Sequence, residues 1–363
     1  MVAPLHFRGR SVIDGEPLEL WSVDGVLTTD RPSASAQTIG DGGWLMPGLV
    51  DAHNHVGIAP GLGVTVEQAR RFAALDARAG ALLIREVGSP LDTHPLDADL
   101  LGPKFIRSGK HIARPKRYLR DYGVDLDNPD DLAEEVRRQA RDGDGWVKLV
   151  GDWIDRDTGD LAPLWTKTQL ADAVRVAHDE GARLTAHVFG TDALPDLLDV
   201  GVDCIEHGTG LTPDLINIMV DKRIALVPTL IQIENFPSIA DGADRFPVYQ
   251  ANMRKLYQHA DAVFAAAREA GVRIFAGTDA GGFVQHGRIV DEVDALAAVG
   301  LGNDGALAAA CWDARNWLGA GALDSGDAAD LLVLQSDPRQ NLAALRDPIA
   351  VVVNGVALAG DTD

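Results

Sequence analysis

From residue 48 onward, short apolar β-type runs alternate with helical patterns, and this alternation constrains the fold more than any other feature. The candidate strands are "GLVDAHNH" (48–55), "ALLIREVG" (81–88), "KFIRSG" (104–109), "WVKLV" (146–150), "RLTAHVF" (183–189), "CIEHG" (204–208), "ALVPTL" (225–230) and "RIFAGTDAG" (273–281). Between them lie helix-like stretches such as "VEQARRFAALDARAG", "PDDLAEEVRRQARDG", "TKTQLADAVRVAHDEG" and "YQHADAVFAAAREAG", several closing on the glycine that helix C-termini favour. Eight such strands separated by helices predict an α/β chain folded as a (β/α)8 TIM barrel rather than an open sheet.

The two ends read differently. "ELWSVDGVLTT", "ADLLVLQ" and "IAVVVNGVALAG" are hairpin-like, with Asp-Gly and Asn-Gly turn signals. Residues 1–47 and 323–363 are therefore expected to form one small β-sandwich domain beside a barrel spanning 48–322.

With 54 acidic against 33 basic residues and a formal net charge of -21, the chain would be repelled by nucleic acid and by anionic membrane surfaces. No window offers a clean transmembrane span, and the start lacks an apolar run long enough for a signal peptide. Cys204 and Cys311 lie far apart without CxxC spacing, so neither a disulfide framework nor a cysteine zinc site is expected. The expectation is a cytoplasmic protein with reduced thiols.

Successive i and i+2 side chains of a strand point the same way, so His53 and His55 project together at the C-terminal end of the first strand, where barrel active sites are built. Neutral imidazoles there make good transition-metal ligands. Alone, the pair is equally two polar residues leaving a strand. His187 closes "LTAHVF", His207 closes "CIEHG", and Asp279 sits in "FAGTDAGG" at the last strand. Singly these read as core histidines and a turn aspartate; together, at the same ends of successive strands, they read as one site. Lys148, inside the apolar "WVKLV", has to be paired, neutral or modified. His94, His111, His178 and His259 fall in predicted loops or helices and receive no metal role.

With these residues in hand, the chain resembles the amidohydrolase superfamily, in its imidazolonepropionase-like and metal-dependent prolidase and carboxypeptidase branch. "MPGLVDAHNHV", "WVKLV", "TAHVFG", "CIEHGTG", "AGTDAGG" and the ending "GALDSGDAADLLVLQSDP…VVVNGV" match its pattern in order and cover almost the whole chain. The resemblance implies two divalent metal ions. His53, His55 and Asp279 would hold the more buried one, and His187 and His207 the more exposed one. Lys148, carbamylated by carbon dioxide, would bridge them with a shared hydroxide. Zinc suits these ligands best, with manganese, cobalt or iron as alternatives. Asp279 would act as general base and then acid.

Deaminases of the superfamily often carry a glutamate three residues after the strand-five histidine; here that position is Gly190, and Lys148 is present, so a hydrolase is expected. The expected reaction is cleavage of an amide bond, with a dipeptide or N-acyl amino acid as substrate. Lactone or ester hydrolysis, deamination, or a non-catalytic metal-binding scaffold are the alternatives.

The loop "RSGKHIARPKRYLR" after strand three carries six cations and no acid, where many relatives are rich in glycine and histidine. Arg114 and Arg117 are its candidates for an anionic substrate group such as a carboxylate; a neutralised surface segment is the other reading. Trp153 is a candidate pocket wall or core residue, and His286 a candidate substrate contact or a support behind the site. The long segment 231–250 after strand seven, with Phe236, Phe246 and Tyr249, is read as a lid or as an insertion packed on the rim. The sequence leaves a homo-oligomer open.

Overall fold

The structure, a computed structural model, describes residues 3–60 and 62–358. Parallel strands dominate its centre. Leu49–Asn54, Ala81–Glu86 and Lys104–Arg107 pair in that order in one sheet. Trp146–Val150, Arg183–Val188, Cys204–His207, Ala225–Val227 and Arg273–Ile274 run in order through a second, whose other edge adds His111–Ala113 and Gly123–Asp125. Several of these strands are buried on both faces, as the continuous apolar runs require when helices cover a parallel sheet.

Backbone bonds join the first strand to the segment following Arg273–Ile274. Ala52 N donates to Ala276 O at 2.8 Å, Asp279 N to His53 O at 2.7 Å, and His55 N to Ala280 O at 2.9 Å. On the other side, Asp144 N donates to Arg107 O at 2.8 Å, linking the third strand to the chain entering Trp146–Val150.

Local chemistry explains the helix starts. Thr65 and Thr166 cap the helices Val66–Arg78 and Lys167–Asp179, each completing a capping box with Gln68 or Gln169. The helix predicted from residue 257 begins ten residues earlier, as Pro247–Ala270, with proline in its first turn, where no intrahelical N–H is needed.

Strands from both ends form one seven-stranded sheet, in which Gln37–Pro47 pairs in parallel with Leu5–Ser11 and antiparallel with Leu331–Leu334. Both hairpin signals act as expected. Asp24 and Gly25 have φ of 49° and 82°, and Asn354 and Gly355 have 48° and 73°, the left-handed pair that matches strand twist in a primed turn. Alternation divides the sheet: Phe7, Leu45, Leu331, Val333 and Val352 form a core of their own, while Met46, Leu332, Leu334, Val351 and Val353 join the large core of the parallel sheets. Residues 1, 2 and 359–363 of the expected terminal unit lie outside the described residues.

Three readings need adjustment. The eighth strand pairs regularly only over Arg273–Ile274; beyond it the chain leaves the ladder to bring Asp279 round, with Asp279 at φ 56°. A hairpin, Asp152–Asp155 with Asp160–Pro163, follows Trp146–Val150. Segment 231–250 is mostly helical, in Leu230–Ile233, Phe236–Asp241 and the start of Pro247–Ala270, and Phe236 and Tyr249 anchor it in the core.

Candidate metal centre

The parallel strands deliver their polar residues to one end. His53 is the penultimate residue of the first strand and His55 follows its end; their Nε2 atoms lie 3.2 Å apart. Asp279 Oδ1 is 3.1 Å from each. His55 Nδ1 donates to Gly88 O at 2.9 Å, and His53 Nδ1 to Glu206 Oε2 at 2.8 Å. Both rings therefore carry their proton on Nδ1 and turn an Nε2 lone pair toward a carboxylate oxygen. Two lone pairs and a carboxylate at such distances repel unless a positive charge stands among them, so the donor set fits a divalent cation.

His207 closes its strand at φ 66°, with Nδ1 2.7 Å from Thr229 Oγ1 and Nε2 3.0 Å from His187 Nδ1. His53, His207 and Asp279 each offer a ligand atom, all within 4.8 Å of one another, and form a possible metal-binding group. Lys148 lies in the middle of Trp146–Val150, and its buried Nζ has no hydrogen-bond partner among the described residues. Burial holds its pKa below the usual lysine value, against the pull of Glu206 and Asp279. A buried amine in this state fits a modified or metal-facing lysine better than a satisfied ammonium.

Electrostatics disfavour protonation of three of the four histidines and favour it at His53. Burial pushes His187 and His207 well below the ordinary histidine pKa, and lowers that of His55. For His53, burial and Lys148 oppose protonation, but Asp279 and Glu206 outweigh them and the pKa is raised. Burial works against ionisation of Asp279, yet His53, His55 and His207 hold it well below the usual carboxylate range. Asp279 keeps 17% side-chain exposure, more than either histidine it touches. His207, Thr229 and Asp279 all adopt left-handed backbone, uncommon for non-glycine residues and a mark of structure held in place by its surroundings.

Several residues at this centre escaped sequence reasoning. Glu206 is fully buried, bonded to His53 and to Arg85 Nη2 at 2.7 Å. Arg85 lies over the edge-to-face pair of Trp146 and Trp317 rings, 4.4 and 4.9 Å from their centroids. Charged residues inside "ALLIREVG" and "CIEHG" were the available signal. His111 lies on a strand rather than in a loop; it is buried, neither ring nitrogen is bonded among the described residues, and its ring centroid is 5.2 Å from that of His55. Tyr118 stands 4.9 Å from the His111 ring and 5.9 Å from that of His187.

The substrate candidates separate. Trp153 lies beside the centre, its ring 5.5 Å from His187 and 4.9 Å from Tyr118. Arg117 is consumed by the fold: it pairs with Asp155 at 2.8 Å and donates to Trp153 O and Ala162 O, tying its loop to the following hairpin. Arg114 has no ion pair among the described residues, and its Nε is buried without a partner. His286 donates to Asp76 Oδ2 at 2.8 Å and stacks on Phe72, so it braces the segment after Asp279.

Residues 44–358 match the sequence pattern of the Amidohydrolase family. The chain belongs to that family. This amidohydrolase is 53% identical to uncharacterized proteins of Mycobacterium tuberculosis and Mycobacterium bovis over 97% of its own length and 95% of theirs. Among solved structures it superposes on a Xaa-Pro dipeptidase with bound methionine in the active site (TM-score 0.83, 21% identity, 99% of this chain and 100% of that one). It is likewise similar to Aspergillus niger ochratoxinase (TM-score 0.79, 20% identity, 98% and 96% covered). These similarities show a shared fold. As a member of the family this amidohydrolase is a hydrolase; no single helix among its described residues is long and apolar enough to cross a membrane.

Proposed function

We propose that this chain hydrolyses an amide bond of a small carboxylate-bearing molecule, a dipeptide or N-acyl amino acid, at a centre for two divalent cations. The convergence of His53 Nε2, His55 Nε2 and Asp279 Oδ1 beside the His187–His207 pair carries the reading. His53, His55 and Asp279 would hold one cation and His187 and His207 the other. Lys148 would bridge them as a carbamate formed with carbon dioxide; its buried, unbonded Nζ supports this. Zinc fits the imidazole and carboxylate donors best, with manganese, cobalt and iron as alternatives. When bound, the cations supply acidified water and polarise the scissile carbonyl.

The chain's own residues do the rest. Glu206 and the Gly88 carbonyl keep the protons of His53 and His55 on Nδ1. Asp279 takes a proton from the attacking water on its carboxylate and returns it to the leaving nitrogen. Trp153 and Tyr118 wall the outer histidine and exclude bulk water. Arg114, uncommitted, takes the substrate carboxylate. The similarity to a Xaa-Pro dipeptidase supports the substrate class.

The architecture proposed with this function is a (β/α)8 barrel over residues 48–322, supported by the backbone bonds from Ala52 and His55 to the segment after Arg273–Ile274. Residues 1–47 and 323–363 complete it as a small β-sandwich domain, supported by that sheet's separate core. Two buried free thiols support a reducing, cytoplasmic setting.

The test is a screen of metal-loaded protein against dipeptides, N-acyl amino acids and lactones, alongside metal analysis. Turnover of the amides with stoichiometric transition metal is expected. Protein without transition metal after expression in added zinc or manganese would sink the reading, and turnover of lactones alone would replace it with an esterase.

A further inference from the structure

The N-terminal ends of the parallel strands form the face opposite the metal centre. Arg183 and Arg273 each begin a strand there, and Arg223 lies just before Ala225–Val227. These three guanidiniums line one cavity of about 400 Å³ together with Lys222, His178 and a single carboxylate, Asp203. Asp203 is already engaged, accepting from His178 Nε2 at 2.9 Å and Leu184 N at 2.8 Å. An adjoining cavity of about 360 Å³ shares Arg223 and Arg273 and adds Arg268 and a second carboxylate, Asp313.

None of these four arginines has a carboxylate within 4 Å among the described residues. The chain does not lack acids: with 54 acidic against 33 basic residues, it gives Arg141, Arg175 and Arg346 carboxylate partners on the surface. Leaving four guanidiniums unpaired in one place runs against that surplus. Burial lowers the pKa of Arg183 and Arg273, and the neighbouring charges of Arg85 and Arg223 add to the effect, so like charges crowd here. The groups are also positioned. Arg183 donates to Trp317 O at 2.7 Å and packs on the Trp146 ring, 4.3 Å from its centroid, and Arg273 donates to the Arg223 carbonyl.

We propose that this cavity binds the phosphate groups of a small polyanionic ligand. Planar guanidinium forks match phosphate oxygens two at a time, and several in one cavity reward multiple charges over one. A volume of about 400 Å³ suits a small molecule. The net charge of -21 repels anions from the rest of the surface, which concentrates anion binding on this basic cluster.

Inorganic pyrophosphate is the probe, titrated calorimetrically into the intact, metal-loaded protein. One-to-one binding is expected, weakening as ionic strength rises. The exposed pair Arg223→Ala with Arg273→Ala should weaken it at least tenfold, while Arg175→Ala, whose guanidinium is paired elsewhere, should leave it unchanged. Lys222→Ala alone, in the lining of the same cavity, should give an intermediate loss, and serves if the double variant folds poorly. Absence of binding overturns the proposal. So does equal binding by the double variant, since that pyrophosphate would reside at the metal centre.

Discussion

Glu206 Oε2 accepts a hydrogen bond from His53 Nδ1 at 2.8 Å, and its other oxygen accepts from Arg85 at 2.7 Å, all three residues being buried. One carboxylate thus compensates a buried guanidinium and orients a candidate metal ligand. Burial alone would neutralise Glu206, but Arg85, Lys148 and His53 hold its pKa well below the usual value. Glu206→Gln keeps the shape and strands the Arg85 charge, so a loss of about 3 kcal/mol in folding stability is expected. Metal affinity should fall by about 10- to 100-fold. Urea melts and competitive metal titration check the two effects, and an unchanged metal affinity would detach Glu206 from the site.

Asp279→Asn removes the proton acceptor while keeping the side chain's size. A fall in kcat of about 100-fold or more is expected on any amide substrate found, with secondary structure unchanged. Steady-state kinetics on metal-loaded variant measures it, and parental kcat would rule out the proton-transfer role.

Arg114 and Arg117 should part company. Arg117→Ala breaks the Asp155 pair and two carbonyl bonds, costing about 2 kcal/mol of stability. Arg114→Ala should leave the melting temperature nearly unchanged and raise KM for carboxylate-bearing substrates about tenfold or more. Thermal melts and Michaelis constants for the two single variants separate these outcomes.

Glu86 gives the fold a pH dependence. Burial raises its pKa to about 7, against the bond from Thr93 Oγ1 and the charge of Arg107. The folded state therefore keeps the proton that the unfolded chain loses near its ordinary pKa. Stability is full below that value and declines as pH rises toward 7, by up to roughly 3 kcal/mol. Glu86→Gln, neutral throughout, should gain stability relative to the parent between about pH 5 and pH 8. Urea midpoints across that range test it; a constant difference would mean Glu86 ionises normally.

Much of this site was legible in the chain. The i, i+2 spacing of His53 and His55 and the strand-end positions of His187, His207 and Asp279 depend only on local periodicity, and the structure brings all five together. The Asp24–Gly25 and Asn354–Gly355 turns were equally local, because left-handed φ at consecutive positions selects those residue types.

Other features were decided by the tertiary structure. Arg85 meets Glu206 across 121 positions, and Glu206 meets His53 across 153. His111, in an apparent loop, joins the centre because its strand pairs in parallel at Ile112 and Leu149. Arg117 had the same appearance in sequence as Arg114, but a hairpin absent from the strand pattern takes its charge. Periodicity and turn chemistry act between neighbours along the chain, so sequence alone determined most of the central parallel strands and the direction in which His53, His55, His187 and His207 point. Which carboxylate meets which cation follows from register between distant strands, where burial makes every unpaired charge costly and the packed fold selects its partner.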